Sequence, residues 1–278
     1  MNILDYKYDK YTTTGNDGII EFILKTSNIK EGLFVEFGAW DGIKGSNCRK
    51  LFEENWSGLF IEVNENRFSK LVENYKDFDR IKCCNSKIGF VENELFDNVV
   101  DPYLEEKNID FCSIDIDGLD LEVFETFEKY LPNIVCIEGG QMLYPYHNRI
   151  SKRISKKNIQ QSLKVFNETF TKKGYKLLCT YQDSFFIKNE LFNLFDVSEN
   201  LLDQYFDGLL AIPRRLPYIQ TCLKDVKLKN KIIDYILSNS NYSKYKWSGR
   251  KQWVKNEYDK IVSLINTARK IEKNNEKI

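Results

Sequence analysis

The chain has 278 residues, 42% hydrophobic and 14% aromatic, with 41 Lys/Arg balanced by 41 Asp/Glu. That composition supports one substantial core with an appendage. No apolar run approaches the roughly 18 residues needed to cross a bilayer, and the opening MNILDYKYDK lacks the apolar segment of a secretory signal, so no membrane insertion and a cytoplasmic setting are expected.

Neither the charge nor the cysteines point to a simple class. From Arg214 to Ile278 there are 16 Lys/Arg against 6 Asp/Glu, so a basic tail balances an acidic body. A solvated helical face explains the tail as well as an anionic partner does. The seven cysteines include no C-x-x-C pair, and Cys112, Cys136 and Cys179 sit inside apolar runs, which reads as reduced core residues.

In chain order, short apolar runs alternate with segments of helical period, the pattern of βαβ units around a parallel sheet. LFVEF (33–37) is the first strand and 46–55 the next helix. GLFIEV (58–63) is the second strand, followed by a helix with Phe68, Leu71, Val72 and Tyr75 on one face. RIKCC (80–84), DFCSID (110–115) and NIVCIE (133–138) continue the series, with helices at 92–106 and 119–131.

A helix over 156–173 then carries Ile159, Leu163, Phe166 and Phe170 on one stripe and stops at Gly174. YKLLCTY (175–181) and SFFIK (184–188) are separated by only Gln182 and Asp183, so they must pair antiparallel. The fold expected is α/β: a doubly wound, mostly parallel seven-stranded sheet ending in an antiparallel hairpin. Residues 1–190 form this domain, and 191–278 a helical, basic C-terminal extension.

In such a sheet the ligand sits beyond the carboxyl ends of the strands, first of all at the first βα turn. Here that turn reads Glu36-Phe37-Gly38-Ala39-Trp40-Asp41-Gly42. Gly38 allows a close backbone approach and Gly42 a turn that a β-carbon resists. A carboxylate under the loop repels a diphosphate, and the G-x-G-x-x-G of a dinucleotide site is absent. A ligand with an ammonium group, hydroxyls and no phosphate is the better match, and S-adenosylmethionine is such a ligand. Glu62, about 20 residues past Gly42, stands where nucleotide-binding sheets place an acid for ribose hydroxyls.

The stretches TGNDGIIEFIL (14–24), FVEFGAWDG (34–42), NWSGLFIEVNENRFSKLVENY (55–75) and IDFCSIDIDGLDLEVFE (109–125) resemble the FkbM-type family of S-adenosylmethionine-dependent methyltransferases, over roughly residues 10–190. The resemblance implies a Rossmann-like class I methyltransferase fold and O-methylation, commonly of a sugar, in surface polysaccharide or capsule biosynthesis. By position it implies Glu36, Gly38 and Gly42 at the methionine end of the cofactor and Glu62 at the ribose. Ser86 falls at the adenine edge, with Asn85 as an alternative, and Asp115 beside the cofactor. Asn16 and Asp17 would close over the site, with helix capping as the plainer alternative for both and the preferred one for Asp17. Trp40, where many such enzymes carry glycine, is the departure within the cofactor loop.

Methyl transfer to a hydroxyl needs positioning and a base. The candidates are His147, the chain's only histidine, and the carboxylates Asp117 and Glu138. A further reading gathers Asp115, Asp117 and Glu138 around Mg²⁺, which requires the chain to turn at Asp117-Gly118 because residues one apart on a strand face opposite ways. Tyr144, Tyr146, Arg149 and Arg153 are candidates for a substrate wall. For the diphosphate of a nucleotide-linked sugar such as a GDP-sugar, the cations are Arg214 and Arg215, or Arg250 and Lys251, with Trp247 or Trp253 to stack on the base.

Two rival classes stay open. One is a nicotinamide-dependent oxidoreductase on a similar sheet; the other is an RNA-binding or RNA-methylating protein using the basic tail. The acidic body and the lack of an aromatic-basic strand pattern count against a nucleic-acid partner. A small-molecule substrate is expected, and a homo-oligomer is compatible with the sequence.

Overall fold

The computed structural model describes residues 2–141, 145–146, 148–149 and 160–211. Its seven strands are β1 Leu33–Phe37, β2 Ser57–Ile61, β3 Ile81–Cys84, β4 Phe111–Ile114, β5 Ile134–Glu138, β6 Tyr175–Thr180 and β7 Asp183–Lys188. They lie in one sheet in the order β3-β2-β1-β4-β5-β7-β6. Neighbours among β1 to β5 pair in parallel, whereas β7 runs antiparallel to both β5 and β6. This is the doubly wound, mostly parallel seven-stranded sheet with an antiparallel terminal hairpin expected from the sequence. Its order reverses between β1 and β4, which fixes where a ligand crevice opens.

Period-two alternation along the strands divides the core into two layers. Phe34, Phe60, Phe111 and Cys136 face one side, covered by α1 (Asn16–Thr26), α2 (Arg49–Glu53) and α3 (Glu65–Tyr75). Val35, Phe37, Ile61, Cys112 and Ile137 face the other, covered by α4 (Phe96–Leu104), α5 (Asp120–Glu125), α6 (Leu163–Lys172) and α8 (Leu201–Ala211). Between these last two, α7 (Asn189–Phe192) puts Phe192 into the first layer. Cys48, Cys112, Cys136 and Cys179 are all buried and unpaired.

Three differences from the sequence reading bear on how the core is closed. The helix expected from 156 begins at Leu163 among the described residues: Ser162 has an extended backbone, bridges to Gly140, and accepts a hydrogen bond from the Val165 amide at 3.4 Å, an N-cap. Gly174, at φ +84°, follows its end as expected. The helix expected over 119–131 ends at Glu125, because Phe127 turns inward to stack on Phe96 at 3.7 Å while Phe124 stacks on Phe170 at 3.8 Å. Finally, residues 191–211 belong to the sheet's own core, since Leu202, Tyr205, Phe206 and Leu209 are buried in its second layer. The remainder of the basic extension lies outside the described residues. Among the described residues no helix is long and apolar enough to cross a membrane.

Candidate functional site

A cleft of about 590 Å³ opens at the carboxyl ends of β1, β2 and β4, at the reversal of strand order. Gly38, Trp40, Glu62, Ser86, Asp115 and Asp117 line it, all singled out in the sequence. Gly38 is required by close approach: at φ +77°, a β-carbon there would lie 1.8 Å from the Asp115 carbonyl oxygen. Gly42, at φ +72°, packs under α3, where a β-carbon would fall 2.5 Å from the Tyr75 ring. The Tyr75 hydroxyl in turn donates to the Gly42 carbonyl. The first βα turn is thus pinned from both sides.

Glu62 lies one residue past the end of β2. Although only 2% exposed, it lines the cleft. Its Oε2 accepts the Trp40 amide at 2.9 Å and its Oε1 the Asn64 amide at 2.8 Å. A carboxylate has about four lone-pair positions, so two backbone donors fix the group and leave acceptor capacity for hydroxyls of a ligand. Asn85 braces the same loop, donating to the Glu62 carbonyl at 2.7 Å, while Ser86 lines the cleft itself.

The other half of the cleft is crowded with acids. Asp115 reaches solvent through the cleft, yet protein surrounds it closely. This crowding, with the carboxylates of Asp183, Glu138, Asp120 and Asp117, pushes it up to about 8. Beyond β4 the chain turns sharply, with Asp117 at φ +60° and Gly118 at φ +135°. The buried Asp120 sets that turn by accepting the Ile116 amide at 2.8 Å and the Gly118 amide at 2.9 Å. One oxygen each of Asp115, Asp117 and Glu138 consequently falls within 4.8 Å of the others. Such an oxygen set suits a hard cation such as Mg²⁺, and suits equally the positive charge of an organic ligand.

Other expected site residues have different duties. Glu36 does not line the cleft: it is 5% exposed, on the same strand face as Phe34, and accepts the Ser46 hydroxyl at 2.5 Å and the Asn47 amide at 2.8 Å. Burial pushes it up to about 7 despite these bonds. It therefore holds the far end of the first βα connection. Asp17, expected to close over the site or cap a helix, does neither. Its Oδ2 accepts the amides of Lys10, Tyr11 and Thr12, each at 2.8 Å, and the Thr12 hydroxyl at 2.8 Å, tying the N-terminal segment to α1.

Asn16 is buried as a hub, donating to Asn47 Oδ1 at 2.8 Å and Asp183 Oδ2 at 2.7 Å and accepting from the Tyr181 hydroxyl. Arg149 is committed to Glu125 and, at 3.2 Å, to the Thr169 hydroxyl, away from the cleft. Tyr146 packs half-buried against the second core layer. His147, Tyr144, Arg153, Arg214, Arg215, Trp247, Arg250, Lys251 and Trp253 lie outside the described residues.

Sequence reading missed Arg67, Lys87 and Phe90 in the cleft wall and Asp183 behind the acidic half. As the first residue of β7, Asp183 stands in register with Glu138 of β5, a pairing between segments distant in sequence that no local pattern records.

No family model matches the chain, and no curated protein matches it. Solved structures of similar shape include a SAM-dependent methyltransferase from Aquifex aeolicus (14% identity, 60% of this chain and 86% of that one, TM-score 0.38). Others are the TYW2 protein of M. jannaschii in complex with AdoMet (15%, 61% and 75%, 0.36) and the CurJ carbon methyltransferase (10%, 66% and 56%, 0.43). At such scores these likenesses transfer no activity or substrate to this chain.

Proposed function

We propose that this protein is an S-adenosylmethionine-dependent O-methyltransferase. The observation that carries the reading is the cleft's division of labour. Glu62, fixed by two amides with acceptor capacity to spare, suits ribose hydroxyls, while the acids around Asp115 suit the sulfonium and ammonium charges of the same molecule. A dinucleotide fits less well. Its diphosphate would lie over Gly38, against Asp115 and without the phosphate-cradling glycine pattern, which weighs against a nicotinamide-dependent oxidoreductase.

The acceptor we propose is a hydroxyl of a sugar, on the strength of the FkbM-type sequence resemblance, with a nucleotide-activated sugar of surface polysaccharide biosynthesis as the substrate class. Methyl transfer from a sulfonium is an in-line displacement, so the chain's tasks are to align donor and acceptor and to take one proton. Asp117 and Glu138 stand beside Asp115 and are carboxylates suited to that proton; His147 is the third candidate, by sequence alone. Mg²⁺, if used, would be held by Asp115, Asp117 and Glu138 and would lower the pKa of a bound hydroxyl.

The test is transfer of a labelled methyl group from S-adenosylmethionine to a panel of sugar nucleotides, with and without EDTA. Label in a sugar product supports the reading, and loss of transfer with EDTA assigns the metal. Label in RNA alone, or thermal stabilisation by NAD but not by S-adenosylmethionine, contradicts it.

A further inference from the structure

Trp40 occupies a backbone conformation that costs it stability. At φ +56° it is a non-glycine residue in the left-handed region, in a loop where Gly38, Gly42 and Gly45 take the other positive φ values. Burial does not repay this, for the residue is 53% exposed, whereas Trp56 is 1% exposed in the core. Its amide donates to Glu62 Oε2 at 2.9 Å, so its position is locked to that carboxylate. Arg67, in the first turn of α3, lays its guanidinium 4.2 Å from the centre of the indole ring. Both residues line the cleft, as do Val63, Phe90 and Leu119, which are also large, apolar and exposed. Exposed apolar surface gathered at one cleft marks a place where a ligand's own apolar face is covered.

From the strained backbone, the exposed ring and the bond that ties the Trp40 backbone amide to Glu62, we infer that Trp40 is a ligand-contacting residue whose indole packs on the nucleoside held by Glu62, and that Arg67 is the positioning residue that holds the indole for it. The inference deepens the proposed function and rests on it. Backbone strain retained for ligand contact predicts opposite responses of stability and binding. A purely structural tryptophan would lose stability on truncation and leave affinity unmoved.

Calorimetric titration with S-adenosylhomocysteine, thermal unfolding and tryptophan fluorescence on the full chain separate these outcomes. Trp40→Gly is expected to unfold at or above the wild-type temperature yet bind at least tenfold more weakly, with Trp40→Phe intermediate. Saturating ligand should change the wild-type emission, and the change should be absent in Trp40→Phe. Arg67→Ala should shift the ligand-free emission and weaken binding a few-fold, and Arg67→Lys should recover part of both. Wild-type affinity in Trp40→Gly, or an unchanged emission response in Trp40→Phe, overturns the inference while leaving the proposed function standing. No binding by the wild type overturns both.

Discussion

The two halves of the cleft floor are built on opposite electrostatic plans. On the β1–β2 side a single carboxylate, Glu62, is satisfied in advance by backbone amides 2.8 and 2.9 Å away. On the β4–β5 side Asp115 is crowded by Asp183, Glu138, Asp120 and Asp117, and shifts up to about 8 in consequence. The first half is preorganised for hydroxyls; the second holds mutual repulsion that a positive charge relieves. The two halves together are complementary in charge to one ligand bearing hydroxyls at one end and positive charge at the other.

The largest expected effect breaks the wall between them. Gly38→Ala forces a β-carbon to within 1.8 Å of the Asp115 carbonyl at a positive φ, so the two strand ends must separate. The expected cost is about 3 kcal/mol or more of stability, with loss of ligand binding, read by denaturant unfolding and calorimetry. Next, Glu62→Ala removes the partner of the Trp40 and Asn64 amides and of the ligand. Affinity for S-adenosylhomocysteine should fall about 100-fold, corresponding to about 2.7 kcal/mol, with Glu62→Gln less severe.

Asp115→Asn sharpens the comparison from the other side. A carboxyl whose folded pKa is raised is protonated in the folded chain and ionised in the unfolded chain between its ordinary value near 4 and about 8. It therefore contributes nothing below that window, an increasing destabilisation as pH rises through it, and a constant one above. Asp115→Asn should thus stabilise the ligand-free protein at pH 8 but not at pH 4. The gain is on the order of 1 kcal/mol, discounted because solvent reaches the carboxyl. The same substitution should weaken a cationic ligand. In the wild type, binding near pH 7 should release a proton, measurable as a buffer-dependent binding enthalpy. The smallest effect is expected from Ser86→Ala, about two- to threefold in affinity, for one half-buried hydroxyl lining the cleft.

Glu36 and Glu62 explain how far the site could be read from sequence. Both follow apolar strand residues, and both were expected at the ligand. Glu36 falls inside β1, on the face shared with Phe34, so strand parity turns it into the layer under α1 and α2, where Ser46 and Asn47 take it up. Glu62 falls one residue beyond β2, where parity no longer binds it and the loop turns it to the cleft. Two positions relative to the strand end separate the outcomes, and apolar runs do not fix strand ends that closely.

The sheet itself was legible because alternating apolar residues and a two-residue hairpin leave few topologies. Asp117 was legible for a different reason: the Asp-Gly pair predicts the reversal that brings it back beside Asp115 and Glu138. Arg67 and Phe90 were not, because their side chains join the site through tertiary approach of α3 and the β3 loop, which no local pattern records.

The central claim, that one phosphate-free cationic nucleoside spans both halves of the cleft, is tested most directly by calorimetry on ligand-stripped protein. S-adenosylmethionine should bind one per chain, NAD should not bind, and Glu62→Ala should reduce the affinity about 100-fold. Tight binding of NAD in place of S-adenosylmethionine, or affinity for S-adenosylmethionine untouched by Glu62→Ala, would contradict it.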